Sequence, residues 1–188
     1  MRAFIALPLP AGYQEGVAAL ARELARDIRS RVSWVKPGNW HLTLKFLGDM
    51  PEPRVRQAAE ALAGIAWKAF TLRAGKGGYF PSPKRPRVLW TGLGQGGDES
   101  AGLARAIDQA LEPLGIEPER RPFQAHLTLC RVKQDRKGEA GPDDWAGILE
   151  RVDATQWPAV QIEEFVLYQS ILSGKGPTYS RIQSYPAS

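Results

Sequence analysis

The chain has two histidines, His41 and His126, and each opens the same four letters: His41-Leu42-Thr43-Leu44 and His126-Leu127-Thr128-Leu129. In β geometry residues i and i+2 share a face, so each imidazole points the same way as the threonine two places on. The leucines then point to the other face, where a core would want them. Histidine titrates near neutrality, at about 6.5 when unperturbed, so a pair can supply a base and an acid at one pH. A phosphodiester suits such a pair. One neutral imidazole deprotonates an attacking water or hydroxyl, and the other, protonated, donates to the leaving oxygen, each typically contributing about 10²–10⁴-fold. Threonine hydroxyls can donate to the non-bridging oxygens and stabilise charge on phosphorus. A vicinal 2′-hydroxyl or a closed cyclic phosphate is reactive without a metal, and two imidazoles lacking nearby carboxylate or thiolate make a poor zinc site. A lone strand histidine is ordinarily structural or solvated; the weight here lies in both histidines of the chain standing in one repeated motif.

The elements that must position these motifs also repeat. The motifs are 126 − 41 = 85 residues apart. A strand over Phe4–Leu7, a helix with Val17, Leu20, Ala21, Leu24 and Ile28 at helical spacing, and the first motif form one series. A strand at Val88–Leu93, a helix with Leu103, Ala106, Ile107 and Ala110 capped by Asp98, and the second motif form another. Phe4 and Leu89 share the 85-residue offset, 89 − 4. The repeat suggests two similar lobes related by a pseudo-twofold axis, each contributing one His-Thr pair to a shared cleft. Residues 1–188 read as a single domain. A further helix is expected from Pro51 to Gly64, a Gly- and Pro-rich basic loop over Gly75–Arg87, a polar loop over 133–143, a short helix over Trp145–Val152, and strands over Ala159–Ser170 and Tyr179–Ile182.

Composition bounds the function class. With 43% hydrophobic and 24% charged residues the chain is ordinary globular protein. Its net charge of +5 favours polyanionic partners without identifying one. The single Cys130 excludes an internal disulfide and any multi-cysteine metal site, which fits a reducing, cytoplasmic setting. The opening apolar stretch is short and broken by Pro8 and Pro10, so it reads as a strand rather than a signal peptide, and no run approaches the roughly 20 residues of a membrane span.

The paired motifs resemble the 2H phosphoesterase superfamily, and in particular its bacterial and archaeal RNA 2′,3′-cyclic phosphodiesterase branch, also called 2′-5′ RNA ligase. The resemblance covers essentially the whole chain: Arg2–Leu7, Trp40–Gly48, Gly78–Pro81, Val88–Trp90, His126–Arg131, Tyr168–Ser170, Gly176 and Tyr179. It implies a bilobal α+β fold, two pseudo-twofold-related lobes of antiparallel sheet with helices outside and a central cleft between the sheets. It also implies hydrolysis of RNA 2′,3′-cyclic phosphate ends to a 2′-phosphate, with no metal and no nucleotide cofactor. Carried onto this chain, His41 is the proton donor to the 3′ leaving oxygen, His126 the acceptor that activates water, and Thr43 and Thr128 hold the phosphate. Reversal of the same chemistry would join a cyclic end to a 5′-hydroxyl through a 2′-5′ linkage.

Arg131 follows the second motif closely enough for its guanidinium to reach the phosphate, with a solvated strand-end arginine as the rival reading. Phe46, Tyr79 and Phe80 are candidates to stack on a terminal base, although core packing is favoured for Phe46. Lys84, Arg85 and Arg87 could follow an RNA backbone or simply be a solvated loop. The expected partner is RNA with a 2′,3′-cyclic phosphate end, and the expected state is a monomer. The competing functions are a non-catalytic module that binds RNA ends, a phosphodiesterase for a small cyclic nucleotide, and a metal-binding protein.

Overall fold

The computed structural model describes residues 1–133, 143–174 and 176–188. In chain order these form β1 (Arg2–Pro8), α1 (Ala11–Leu24), β2 (Val32–Trp34), β3 (His41–Asp49), α2 (Glu52–Ala63), β4 (Phe70–Ser82) and β5 (Arg85–Gln95). There follow α3 (Gly97–Leu111), a 3-10 turn (Glu112–Leu114), β6 (Leu127–Val132), α4 (Trp145–Ala154), β7 (Val160–Ile162), β8 (Glu164–Ser173) and β9 (Gly176–Pro186). The strands run β7-β4-β5-β6-β3-β1-β8-β9 in one open antiparallel sheet, with β2 added to β6. This is an α+β fold.

The centre of that order matters most. One half-sheet is β8-β1-β3 with β9 outside it, the other β6-β5-β4 with β7 outside it, and the two meet through a single pair, Leu42↔Leu127. Both leucines are fully buried. So the two expected sheets touch at the middle leucines of the two motifs, and diverge on either side of them. α3 packs against β3 and α4 against β4. α1 turns Tyr13, Val17, Leu20, Ala21 and Leu24 inward, the spacing of one helical face. β1 carries an unbroken buried run, Ala3–Leu7, because Ala3, Ile5 and Leu7 join the core on one face while the rings of His41, Tyr168 and Tyr179 cover Phe4 on the other.

Three expectations are corrected. Gly75–Arg87 is no loop: β4 continues to Ser82 and pairs back with β5 from Arg85. The glycines mark close approach rather than a turn. A Cβ at Gly75 would stand 2.6 Å from the Gly94 nitrogen, and one at Gly77 2.7 Å from Val152 of α4. The run Ala159–Ser170 divides at Glu163 into β7, which pairs with β4, and β8, which pairs with β1, so one stretch of chain serves both half-sheets. The helix expected to start at Asp98 is preceded by Gly96 in the left-handed region (φ 85°), leaving Asp98 in its first turn. Of the polar loop expected over 133–143, residues 134–142 lie outside the described residues.

The repeat is real in register but shifted by one place. Phe4 pairs with Phe46 and Ala6 with Thr43, while Val88 pairs with Arg131 and Trp90 with Thr128. The partner strands are thus offset by 88 − 4 = 84, and Phe4 corresponds to Val88 rather than Leu89.

Candidate active site

Antiparallel pairing of Leu42 with Leu127 sets His41 beside Thr128 and Thr43 beside His126 across the junction of the half-sheets. The leucines occupy the core face, so all four polar side chains share the other face, and all four are half-buried. Each histidine is tied down in the same way. The His41 Nδ1–H donates to the Asn39 carbonyl at 2.7 Å, and the His126 Nδ1–H donates to the Gln124 carbonyl at 2.8 Å. A carbonyl only accepts, so the proton of each neutral ring is fixed on Nδ1 and the lone pair is left on Nε2. Each Nε2 can then accept a proton as a base or, once protonated, return one as an acid.

Burial lowers the pKa of both rings. His41 is pulled down to about 4, mainly by desolvation, with the Asn39 carbonyl opposing and the nearby His126 adding to it. His126 is lowered by desolvation, opposed by the Gln124 carbonyl and reinforced by the positive charge of Arg131. An anion placed between the rings would offset both effects.

What lies next along each strand is decided by a pair of bulges. In β3, Ile5 pairs with Lys45 but Ala6 with Thr43, so Leu44 is an extra residue; in β6, Leu89 pairs with Cys130 but Trp90 with Thr128, so Leu129 is the extra one. The two bulges are 129 − 44 = 85 residues apart, the motif spacing. Strict alternation would have put Lys45 and Cys130 beside the threonines. The bulges send both into the core instead, Lys45 onto the Asp108 carboxylate and the Glu117 carbonyl, and Cys130 into full burial that pushes its thiol up to about 12. Phe46 and Arg131 take the places facing the site, as equivalents in the two halves.

Phe46 is 71% exposed, its ring 6.2 Å from Phe4, which overturns the core packing favoured for it. Arg131 is exposed, and its charge reaches both His126 and Tyr179. Phe80 packs edge-on to His126 at 4.9 Å. Tyr79 is misplaced by the sequence reading: it points to the opposite face of β4, is buried, and its hydroxyl donates to the Trp145 carbonyl at 2.7 Å, so it has no free face for a base. Lys84, Arg85 and Arg87 are exposed at and beyond the β4–β5 turn.

Several neighbours carried no signal at the motifs themselves. Phe4 lies 4.9 Å from His41, Tyr179 packs edge-on to it at 5.2 Å, and Tyr168 stacks on Phe4. The Asn39 side-chain amide donates to the Pro177 carbonyl at 3.0 Å, joining the His41 tether to β9. On the other side Trp90 lies 6.1 Å from His126, and a Cβ on Gly78 would come within 2.3 Å of its indole. Phe4, Gly78, Trp90, Tyr168 and Tyr179 had entered the sequence reading only through the family resemblance, with no role attached. Two hollows of about 260 and 250 Å³ lie elsewhere, between α1 and the Trp34–Trp40 stretch. Among the described residues no group of three or more His, Cys, Asp and Glu side chains could hold a metal ion, and no helix is long and apolar enough to cross a membrane.

Two tethered histidines and two threonines thus meet on one face at the junction of the half-sheets. The family model described as LigT like phosphoesterase matches residues 7–90 and again 94–179, following the internal repeat. An RNA 2′,3′-cyclic phosphodiesterase of Archaeoglobus fulgidus is 32% identical over 185 residues, covering 98% of this chain and 99% of that protein. One from Aeropyrum pernix is 33% identical over 153 residues, covering 81% and 85%. Among solved structures, a protein of Thermus thermophilus superposes with a TM-score of 0.74 at 28% identity, covering 99% of this chain and 97% of that one. Escherichia coli LigT complexed with 3′-AMP gives 0.75 at 24% identity with the same coverage. The chain belongs to the LigT-like phosphoesterase family of the 2H superfamily.

Proposed function

We propose that this protein is an RNA 2′,3′-cyclic phosphodiesterase working by two-histidine acid–base catalysis. The observation that carries the proposal is the matched tethering of His41 and His126, which leaves both Nε2 atoms available on one face. His126 Nε2 takes a proton from water, the hydroxide oxygen bonds to phosphorus, and the P–O3′ bond breaks as His41 gives its proton to O3′. The product is a 2′-phosphate and a 3′-hydroxyl. Thr43 and Thr128, each beside the other motif's histidine, donate to the non-bridging oxygens, and Arg131 adds positive charge from the His126 side. Phe46 and Phe80 offer ring faces to a terminal base. In this reading each half-sheet is one lobe of a single domain and supplies one motif. A 5′-hydroxyl in place of water, attacking phosphorus as the P–O3′ bond breaks, gives a 2′-5′ linkage by the same steps. A cytoplasmic setting fits the one buried thiol.

The test is incubation with an RNA oligonucleotide ending in a 2′,3′-cyclic phosphate, with EDTA present, reading the phosphate isomer formed. A 2′-phosphate that disappears with His41→Ala and with His126→Ala is the expected result. An end that is bound but survives would leave an RNA-end reader and refute the mechanism.

A further inference from the structure

The positive charge of this chain is concentrated in one place. Between Glu60 and Asp98 there is no acidic residue, while Lys68, Arg73, Lys76, Lys84, Arg85 and Arg87 are all basic. The remaining chain carries 25 − 6 = 19 basic against 20 acidic residues, so the whole net charge of +5 comes from the segment that forms β4 and β5. All six cations are exposed, and among the described residues none is paired with a carboxylate. By contrast, Arg151 and Arg181 are both held in ion pairs.

The segment is also placed to matter. Phe80, Val88 and Arg131 form a row across β4, β5 and β6, and Phe80 is the ring packed on His126. From that row the two strands run to the turn at Pro83 and Lys84. The turn lies about 10 Å away at roughly 3.3 Å per residue. Three cations, Lys84, Arg85 and Arg87, thus stand within a few residues of the site, and among the described residues no carboxylate is paired with them. Unpaired exposed cations beside a phosphate site attract further phosphates on the same chain.

We propose that the β4–β5 turn is a backbone-binding subsite for RNA, and that it makes the enzyme selective for a polynucleotide end over a nucleoside 2′,3′-cyclic phosphate. This rests on the phosphodiesterase reading above and adds the chain length of its substrate. The turn holds internucleotide phosphates outside the reacting group and takes no part in the proton transfers.

The experiment compares kcat/KM for a nucleoside 2′,3′-cyclic phosphate with that for a ten-nucleotide RNA ending in the same cyclic nucleotide. Both are measured from 50 to 200 mM salt, for the wild type and for Lys84→Ala/Arg85→Ala/Arg87→Ala. The wild type should prefer the oligonucleotide and lose that preference as salt rises. Single-strand binding falls with a log–log slope of about 0.7 per phosphate contact, so three lost contacts remove about 20-fold of salt dependence over this range. The variant should approach the mononucleotide rate on the oligonucleotide, while its mononucleotide rate stays at the wild-type value. An oligonucleotide preference and salt slope unchanged in the variant would overturn the proposal, as would an equal loss on both substrates. Failure of the wild type on both substrates would instead refute the phosphodiesterase reading itself.

Discussion

In the free site His41 is poorly prepared to donate a proton at neutral pH, because burial has drawn its pKa to about 4. A bound phosphate should reverse this, and the size of the reversal can be worked out. One negative charge about 4 Å from the ring, at an effective dielectric of about 20, stabilises the imidazolium by about 4 kcal/mol. At 1.36 kcal/mol per pKa unit that is about three units, which brings His41 to about 7. The perturbation is a saturating nucleoside 2′-phosphate, the expected product, which supplies the anion without turning over. The assay is a proton NMR titration: two histidines give two imidazole C2–H signals, and His126→Asn assigns them. The same shift has a sign in stability. The folded pKa lies below the unfolded value of about 6.5, so the unfolded chain binds more protons in between, and the free protein loses about 3 kcal/mol as pH falls from about 6.5 through 4. The nucleotide should suppress most of that loss. A His41 signal that still titrates near 4 in the complex would place the anion away from the ring and remove His41 as donor.

Thr128→Val and Thr43→Val each delete a hydrogen bond to a charged group worth about 1.5–3 kcal/mol, so kcat should fall by about 10–100-fold with little change in thermal midpoint. Phe46→Ala removes an exposed ring and should leave stability within about 0.5 kcal/mol while raising KM for RNA, as denaturant melts and steady-state rates would show. Gly78→Ala pushes a methyl into the Trp90 indole, at 2.3 Å, and should cost about 1–3 kcal/mol in a urea melt and disturb the ring beside His126.

Much of the site was legible in the letters because its signal is local. The His-x-Thr spacing fixes which side chains share a strand face, and repetition of the motif 85 residues later points to two halves built alike. The helices α1 and α3 were equally readable, since their apolar residues recur at a period that few other conformations reproduce. The β4–β5 ribbon was missed because glycine marks both turns and close approaches. Only the position of α4 over Gly77, and of Trp90 over Gly78, distinguishes the two.

The sequence by itself determined the chemistry: two imidazoles and two hydroxyls, each pair on one strand face, with leucines behind them. Tertiary structure decided who their neighbours are. Whether Lys45 or Phe46, and Cys130 or Arg131, stands beside the threonines depends on the extra residues at Leu44 and Leu129. A one-residue bulge inverts every later side chain, and it exists only through pairing with another strand. The rings around His41 come from β1, β8 and β9, which are distant in sequence, and the meeting of the two motifs rests on one buried leucine pair between half-sheets that no local pattern could bring together.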